Sequence, residues 1–150
     1  MRAHQLFSSF LLTIVLAAAA PAQVVISQVY GGGGNSGATL KNDFIELFNA
    51  GGAPGNLTGW SVQYASAAGT TWQVTALSGT IPAGGYYLVR QAQGAGGTVD
   101  LPAPDATGNI PMSATAGKVA LVSSTTALTG SGCPIGAPIA DFVGFGSTAN

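Results

Sequence analysis

The feature that most constrains the fold is a recurring one: short runs of β-branched and aromatic residues, each closed off by a cluster of Gly, Pro, Asn or Ser. The runs are Val24–Tyr30, Asp43–Asn49, Trp60–Tyr64, Thr71–Thr75, Tyr86–Gln91, Lys118–Ser123 and Ile139–Phe145. Side chains in them alternate with a period of two, the mark of a strand, and the 3.6-residue period of an amphipathic helix is missing. A parallel sheet would need helical crossovers, and no stretch is long enough to supply them. The expectation is an all-β fold of seven to eight short antiparallel strands, a sandwich or barrel whose two sheets fill one core.

Alternation assigns faces within each strand. Ile45 and Leu47 share one side of the second strand, while Phe44, Glu46 and Phe48 share the other. Leu47, Ile45 and Leu57 are core candidates, and Trp60 is expected to anchor the two sheets to each other. Asn49, ahead of Ala-Gly-Gly, suits turn geometry and can bond nearby backbone, and Gly84 falls in the Pro-Ala-Gly-Gly turn before Tyr86. Glu46 is a carboxylate in mid-strand, expected to bond loop backbone or a Lys or Arg. Ala92–Met112, loaded with Gly and Pro, reads as a long surface connection with little structure of its own.

The first 22 residues read as a cleavable export signal. Arg2 and His4 precede an apolar run from Leu6 to Ala20, and Ala20-Pro21-Ala22 is an Ala-x-Ala cleavage site. The apolar run is too short to span a bilayer comfortably, so the competing reading as a retained anchor is the weaker one. Removing 22 of the 150 residues leaves 128 beginning at Gln23, about one domain with enough length for a real core. The expected destination is secretion or the cell surface, with no membrane span after cleavage.

The residue inventory restricts chemistry. With His4 lost, the expected mature chain has no histidine and a single cysteine, Cys133. A structural zinc site and a Ser-His-Asp triad are therefore both beyond it. Asp43 and Glu46 are three apart on a strand and point to opposite faces, which disfavours paired acid–base work. Lys41, Arg90 and Lys118 stand against five carboxylates, a net charge of −2 that offers phosphate backbones no electrostatic footprint. Gly32-x-Gly34-x-x-Gly37 follows a predicted strand but leads into another strand, not into the helix that presents N–H groups to a pyrophosphate, so it is read as an interstrand loop. Asp100, Asp105 and Asn109 crowd one loop with oxygen ligands of the kind calcium accepts, although their spacing follows no regular calcium loop; solvated loop residues are the stronger reading, and no cofactor is expected.

Asp43-Phe-Ile-Glu-Leu-Phe-Asn49, Asn56-Leu-Thr-Gly-Trp60-Ser-Val and Ile81-Pro-Ala-Gly-Gly-Tyr-Tyr-Leu-Val89 occur in that order, followed by Lys118–Val122 and Ile139–Gly146. Together they resemble the lamin-tail domain family in its exported bacterial form, over almost the whole expected mature chain. The resemblance implies an immunoglobulin-like β-sandwich acting as an accessory module, often beside secreted nuclease- or phosphatase-like domains or within large surface proteins. It also implies a disulfide for Cys133 with a cysteine beyond Asn150, and the abrupt end after Asp141–Gly146 is read as a chain cut from a longer protein.

The leading functional expectation is a non-catalytic extracellular interaction or structural module, not an enzyme, with a protein, a cell-surface partner or a covalently linked downstream domain as its counterpart. The second is the N-terminal accessory domain of a secreted hydrolase whose active site lies beyond Asn150. The third is a glycan- or DNA-binding module that stacks its ligand on Tyr64, Trp72, Tyr86 and Tyr87. So few charges guard the sheet edges that self-association is a further expectation.

Overall fold

The computed structural model describes residues 20–130 and 132–149. Most of the expected export signal, residues 1–19, lies outside the described residues. Among the described residues ten strands form: β1 (Val24–Tyr30), β2 (Asn42–Asn49), β3 (Gly55–Asn56), β4 (Ser61–Ser66), β5 (Gln73–Ala76), β6 (Thr80–Ile81), β7 (Tyr86–Gln93), β8 (Ala106–Thr107), β9 (Gly117–Val122) and β10 (Ile139–Phe145). Three of them are two-residue pairings, and the other seven are the strands that alternation predicts. Among the described residues there is no helix.

One sheet runs β1-β2-β7-β8 and the other β10-β9-β4-β5, with β3 and β6 pairing separately. All long pairings are antiparallel, and the two sheets stack as an immunoglobulin-like sandwich. Ile45, Leu47, Tyr87 and Val89 from the first sheet meet Val62, Tyr64, Val119 and Leu121 from the second in one core, and Leu57, Ile81, Ile110 and Met112 close its ends. Removing that much apolar surface from water is the main force holding the layers together. Trp60 is only partly buried and packs at the margin of the core, so Val62 and Tyr64, not Trp60, join the sheets at the centre.

Ala92–Met112 departs from the expected featureless loop. β7 continues to Gln93, and Ala106–Thr107 adds a short parallel strand to it. Ile110 and Met112 drop into the core at 2% and 6% exposure. Side chains fix the path: Gln91 accepts the Ile110 N–H at 3.2 Å and exchanges bonds with Thr75, while the Asp105 carboxylate accepts the Leu88 N–H at 2.7 Å. A two-residue parallel pairing needs no hydrophobic alternation and no helical crossover, so the sequence gives no periodic sign of it.

The two edges that face each other, β1 and β10, are both irregular. Register shifts fall between Ile26 and Gln28 on β1 and between Ile139 and Asp141 on β10. At the β1 bulge the Ile26 N–H donates to the Asp141 carboxylate at 2.7 Å, tying the first strand to the last across the sheets. An edge whose ladder is bent and whose donor is satisfied is a poor template for another chain.

Candidate functional site

The sandwich has two outer faces, and they differ. On the second sheet Ala65, Ala120 and Val122 point outward, yet all three are buried beneath Trp72, Leu128, Ile139 and Phe142. Gln63 makes this cover adhere: its amide donates to the Thr126 carbonyl at 2.9 Å and accepts the Leu128 N–H at 2.8 Å. Ser61 donates to the Ser124 carbonyl, and the Trp72 indole N–H donates to the Gly130 carbonyl. Lys118 is fully buried in the same layer, with its ammonium 5.7 Å from the Trp72 ring centroid and bonded to the Gly69 carbonyl at 3.1 Å. A cation over an indole face and a carbonyl at the ammonium offset part of the cost of removing that charge from water.

Among the described residues no segment seals the outer face of the first sheet in this way: Gln28 and Tyr86 are exposed, and Glu46, Phe48, Leu88 and Arg90 are half-buried, while Phe44 is buried. Register places Tyr30 opposite Phe44, Gln28 opposite Glu46, and Val25 opposite Phe48; on the other flank Arg90, Leu88 and Tyr86 oppose the same three β2 residues. Tyr30 and Phe44 stack with ring centroids 5.3 Å apart, and Phe48 and Tyr86 lie tilted at 4.9 Å. An aromatic pair thus marks each end of the face, with polar groups between. The Glu46 carboxylate accepts the Ser27 hydroxyl at 2.8 Å across the β1 bulge. That bond replaces the expected loop backbone or Lys/Arg partner, because Glu46 stands on an open sheet face where no loop reaches it. Among the described residues the Arg90 guanidinium has no hydrogen bond or ion pair, whereas Lys41 pairs with Asp100 at 3.0 Å.

The four predicted stacking residues divide. Tyr86 is 62% exposed and belongs to this face. Tyr64, Trp72 and Tyr87 are each 4% exposed, which corrects the expectation that they are available to a ligand. Tyr64 and Tyr87 alternate inward to the core, and Trp72 turns back over the second sheet. Alternation separates the two sides of a strand but does not say which side a distant loop will cover. Tyr30, Phe44, Phe48 and Arg90 were missed as a group, because only the register of three strands brings them together.

The inward Tyr87 hydroxyl donates to the Ser78 carbonyl at 2.8 Å. Burial raises its pKa above the ordinary 10.0; the Ser78 bond lowers it in part, and the nearby Asp105 charge raises it. The neutral phenol is thus favoured in the folded state. Stability owed to it is complete below pH 10, falls once the unfolded chain ionises above that pH, and is lost as pH rises through the folded-state value. Denaturant titrations of the wild type should therefore show a decline above pH 10 that Tyr87→Phe reduces.

The remaining candidates are dispersed. The Asp100 carboxylate is engaged by Lys41, that of Asp105 faces the Leu88 N–H, and Asn109 is exposed, so each of the three calcium candidates has its own surroundings and they form no common cage. Among the described residues no three His, Cys, Asp or Glu side chains gather, and no enclosed pocket forms. Cys133 is exposed and unpaired in the segment before β10. The glycine motif turns inward: Gly32, Gly34 and Gly37 adopt positive φ, and the Gly33 N–H donates at 2.7 Å to the Asp43 carboxylate, which also accepts the Met112 N–H at 2.7 Å. The anion this loop holds belongs to the protein itself.

Asn49, at the end of β2, is fully buried and makes four side-chain bonds. Its carbonyl oxygen accepts the Gln23 and Gly51 N–H groups, and its amide donates to the Ala53 and Ile81 carbonyls. Gly84 hydrogen-bonds back to the Asn49 carbonyl with φ of 67°, a conformation that favours glycine. Both are fixtures of the scaffold beside the open face.

In a comparison with known families, the model described as Lamin Tail Domain matches residues 17–132, which reaches from inside the expected export signal past the end of β9. A search of curated proteins finds no match.

Proposed function

The chain belongs to the lamin tail domain family, and from that membership we propose that it is a non-catalytic, exported interaction module serving a larger extracellular protein. One observation carries the reading: the second sheet's outer face is sealed by its own chain, whereas the first sheet's outer face keeps an exposed Tyr86 and a guanidinium without a partner. Apolar and charged groups left together on an otherwise self-covering surface are the composition of a binding face. Immunoglobulin-like scaffolds of this family are non-catalytic, so the surface and not a reaction centre is where function is sought.

The test is retention of the full chain, carrying a fluorescent tag, on the cell envelope of the organism that makes it. Wild type should sediment with the envelope, and Tyr86→Ala combined with Arg90→Ala should abolish sedimentation while leaving the unfolding midpoint in place. Wild type that stays in the supernatant would overturn the interaction reading.

A further inference from the structure

We infer that the open face of β1, β2 and β7 is a platform for an extended, hydroxyl-rich polysaccharide. The inference rests on the interaction reading above and names the ligand class for the same face.

The first argument is size. At a strand spacing of about 4.8 Å and a rise of about 3.4 Å per residue, three strands of roughly seven residues make a face of about 15 by 25 Å, roughly 350 Å². Each partner of a stable protein complex buries about 800 Å². The face is thus too small for a folded partner or a second copy to be held by it alone, but it is long and narrow enough for an extended polymer. A small molecule would want a cavity, and the described residues enclose none.

The second argument is chemistry. The backbone N–H and C=O groups of β2 are already engaged with β1 and β7, so a ligand lying on the face must be read by side chains alone. An extended peptide gains its affinity from main-chain bonds at a free sheet edge, which a face cannot offer. The side chains present are a carboxylate with acceptor capacity beyond its Ser27 bond, the exposed Ser27 and Gln28 beside it, and a guanidinium whose donors are uncommitted. Donors and acceptors interleaved in this way suit a ligand whose hydroxyls both donate and accept. At one end the exposed Tyr86 beside half-buried Phe48, and at the other half-buried Tyr30 stacked on the buried Phe44, suit the apolar C–H faces of sugar rings, with Tyr86 the most accessible ring. Nucleic acid is disfavoured by the charge of the chain, since Arg90 shares the surface with the carboxylate of Glu46.

The full chain is mixed with insoluble cellulose, chitin, xylan and cross-linked alginate, and bound protein is measured by depletion. Retention on at least one polysaccharide is expected, weakened about tenfold by Tyr86→Ala and by Arg90→Ala but unchanged by Ile135→Ser, which removes an exposed apolar side chain away from the face. No retention on any of the four overturns the inference, as does retention that Ile135→Ser and Tyr86→Ala affect equally. Pretreating the cell envelope separates this inference from the reading beneath it. Binding that survives periodate cleavage of vicinal diols but is lost after protease digestion sinks the polysaccharide and leaves the interaction module standing. Concentration-dependent dimerisation abolished by Arg90→Ala would also overturn it, by making a second copy the occupant.

Discussion

Replacing Asp43 with alanine should destabilise the fold by about 3 kcal/mol, because it strands two buried N–H donors at once. The carboxylate is 4% exposed and accepts from Gly33 and Met112, each at 2.7 Å. These bonds tie the glycine loop and the start of β2 to the stretch that enters the core at Met112, 69 positions further on. Asp43→Asn is the sharper variant. It keeps the shape but turns one acceptor into a donor that faces a donor, so it should recover little of the loss. Urea denaturation monitored by Trp fluorescence would measure both, and an Asp43→Asn midpoint equal to wild type would show that the carboxylate's second oxygen is dispensable.

Asn49→Ala should cost a similar amount, about 3 kcal/mol, for a different reason. Its amide group satisfies two carbonyls while its oxygen satisfies two N–H groups, so alanine leaves unmatched groups of both kinds around one position. Asn49→Asp separates them: it can still accept from Gln23 and Gly51 but turns a carboxylate toward the Ala53 and Ile81 carbonyls. Aspartate should therefore be no better than alanine at neutral pH and should improve as the pH falls and the carboxyl gains a proton. An aspartate variant as stable as wild type at pH 7 would mean that the two donated bonds contribute little.

These two residues show what a single sequence discloses and what it withholds. Val24–Tyr30 and Ile139–Phe145 are bounded as their alternation and flanking turns predict, and Ile45, Leu47 and Leu57 are buried as their spacing demands. Local pattern suffices there because strand, face and burial are all properties of adjacent residues. Asp43 gave no sign of being an internal anion, because its partners lie 10 and 69 positions away. The same limit explains Trp72, whose exposure is decided by the segment around Leu128 and Gly130. It explains the open face too: Phe44, Glu46 and Phe48 share a side by alternation alone, but Tyr30, Arg90 and Tyr86 join them only once three strands are in register. Of the adjacent Tyr86 and Tyr87, one had to face outward; that it is Tyr86 follows from Val89 and Tyr87 filling the core.

The bond between Ile26 and Asp141 bears on how such a chain acquires its structure in time. It spans 115 positions, and β4 pairs with β9 from Ser61 opposite Val122 to Ser66 opposite Gly117, again between segments distant in sequence. A topology dominated by distant pairings must close large loops before it is rewarded, so folding is expected on the millisecond-to-second scale and not in microseconds. A nascent polypeptide emerges amino end first, and until the strand bearing Asp141 arrives, the Ile26 donor and the outer ladder of β9 wait unmatched. The domain should accordingly stay open to chaperones for most of its synthesis, and lock only when β10 is delivered.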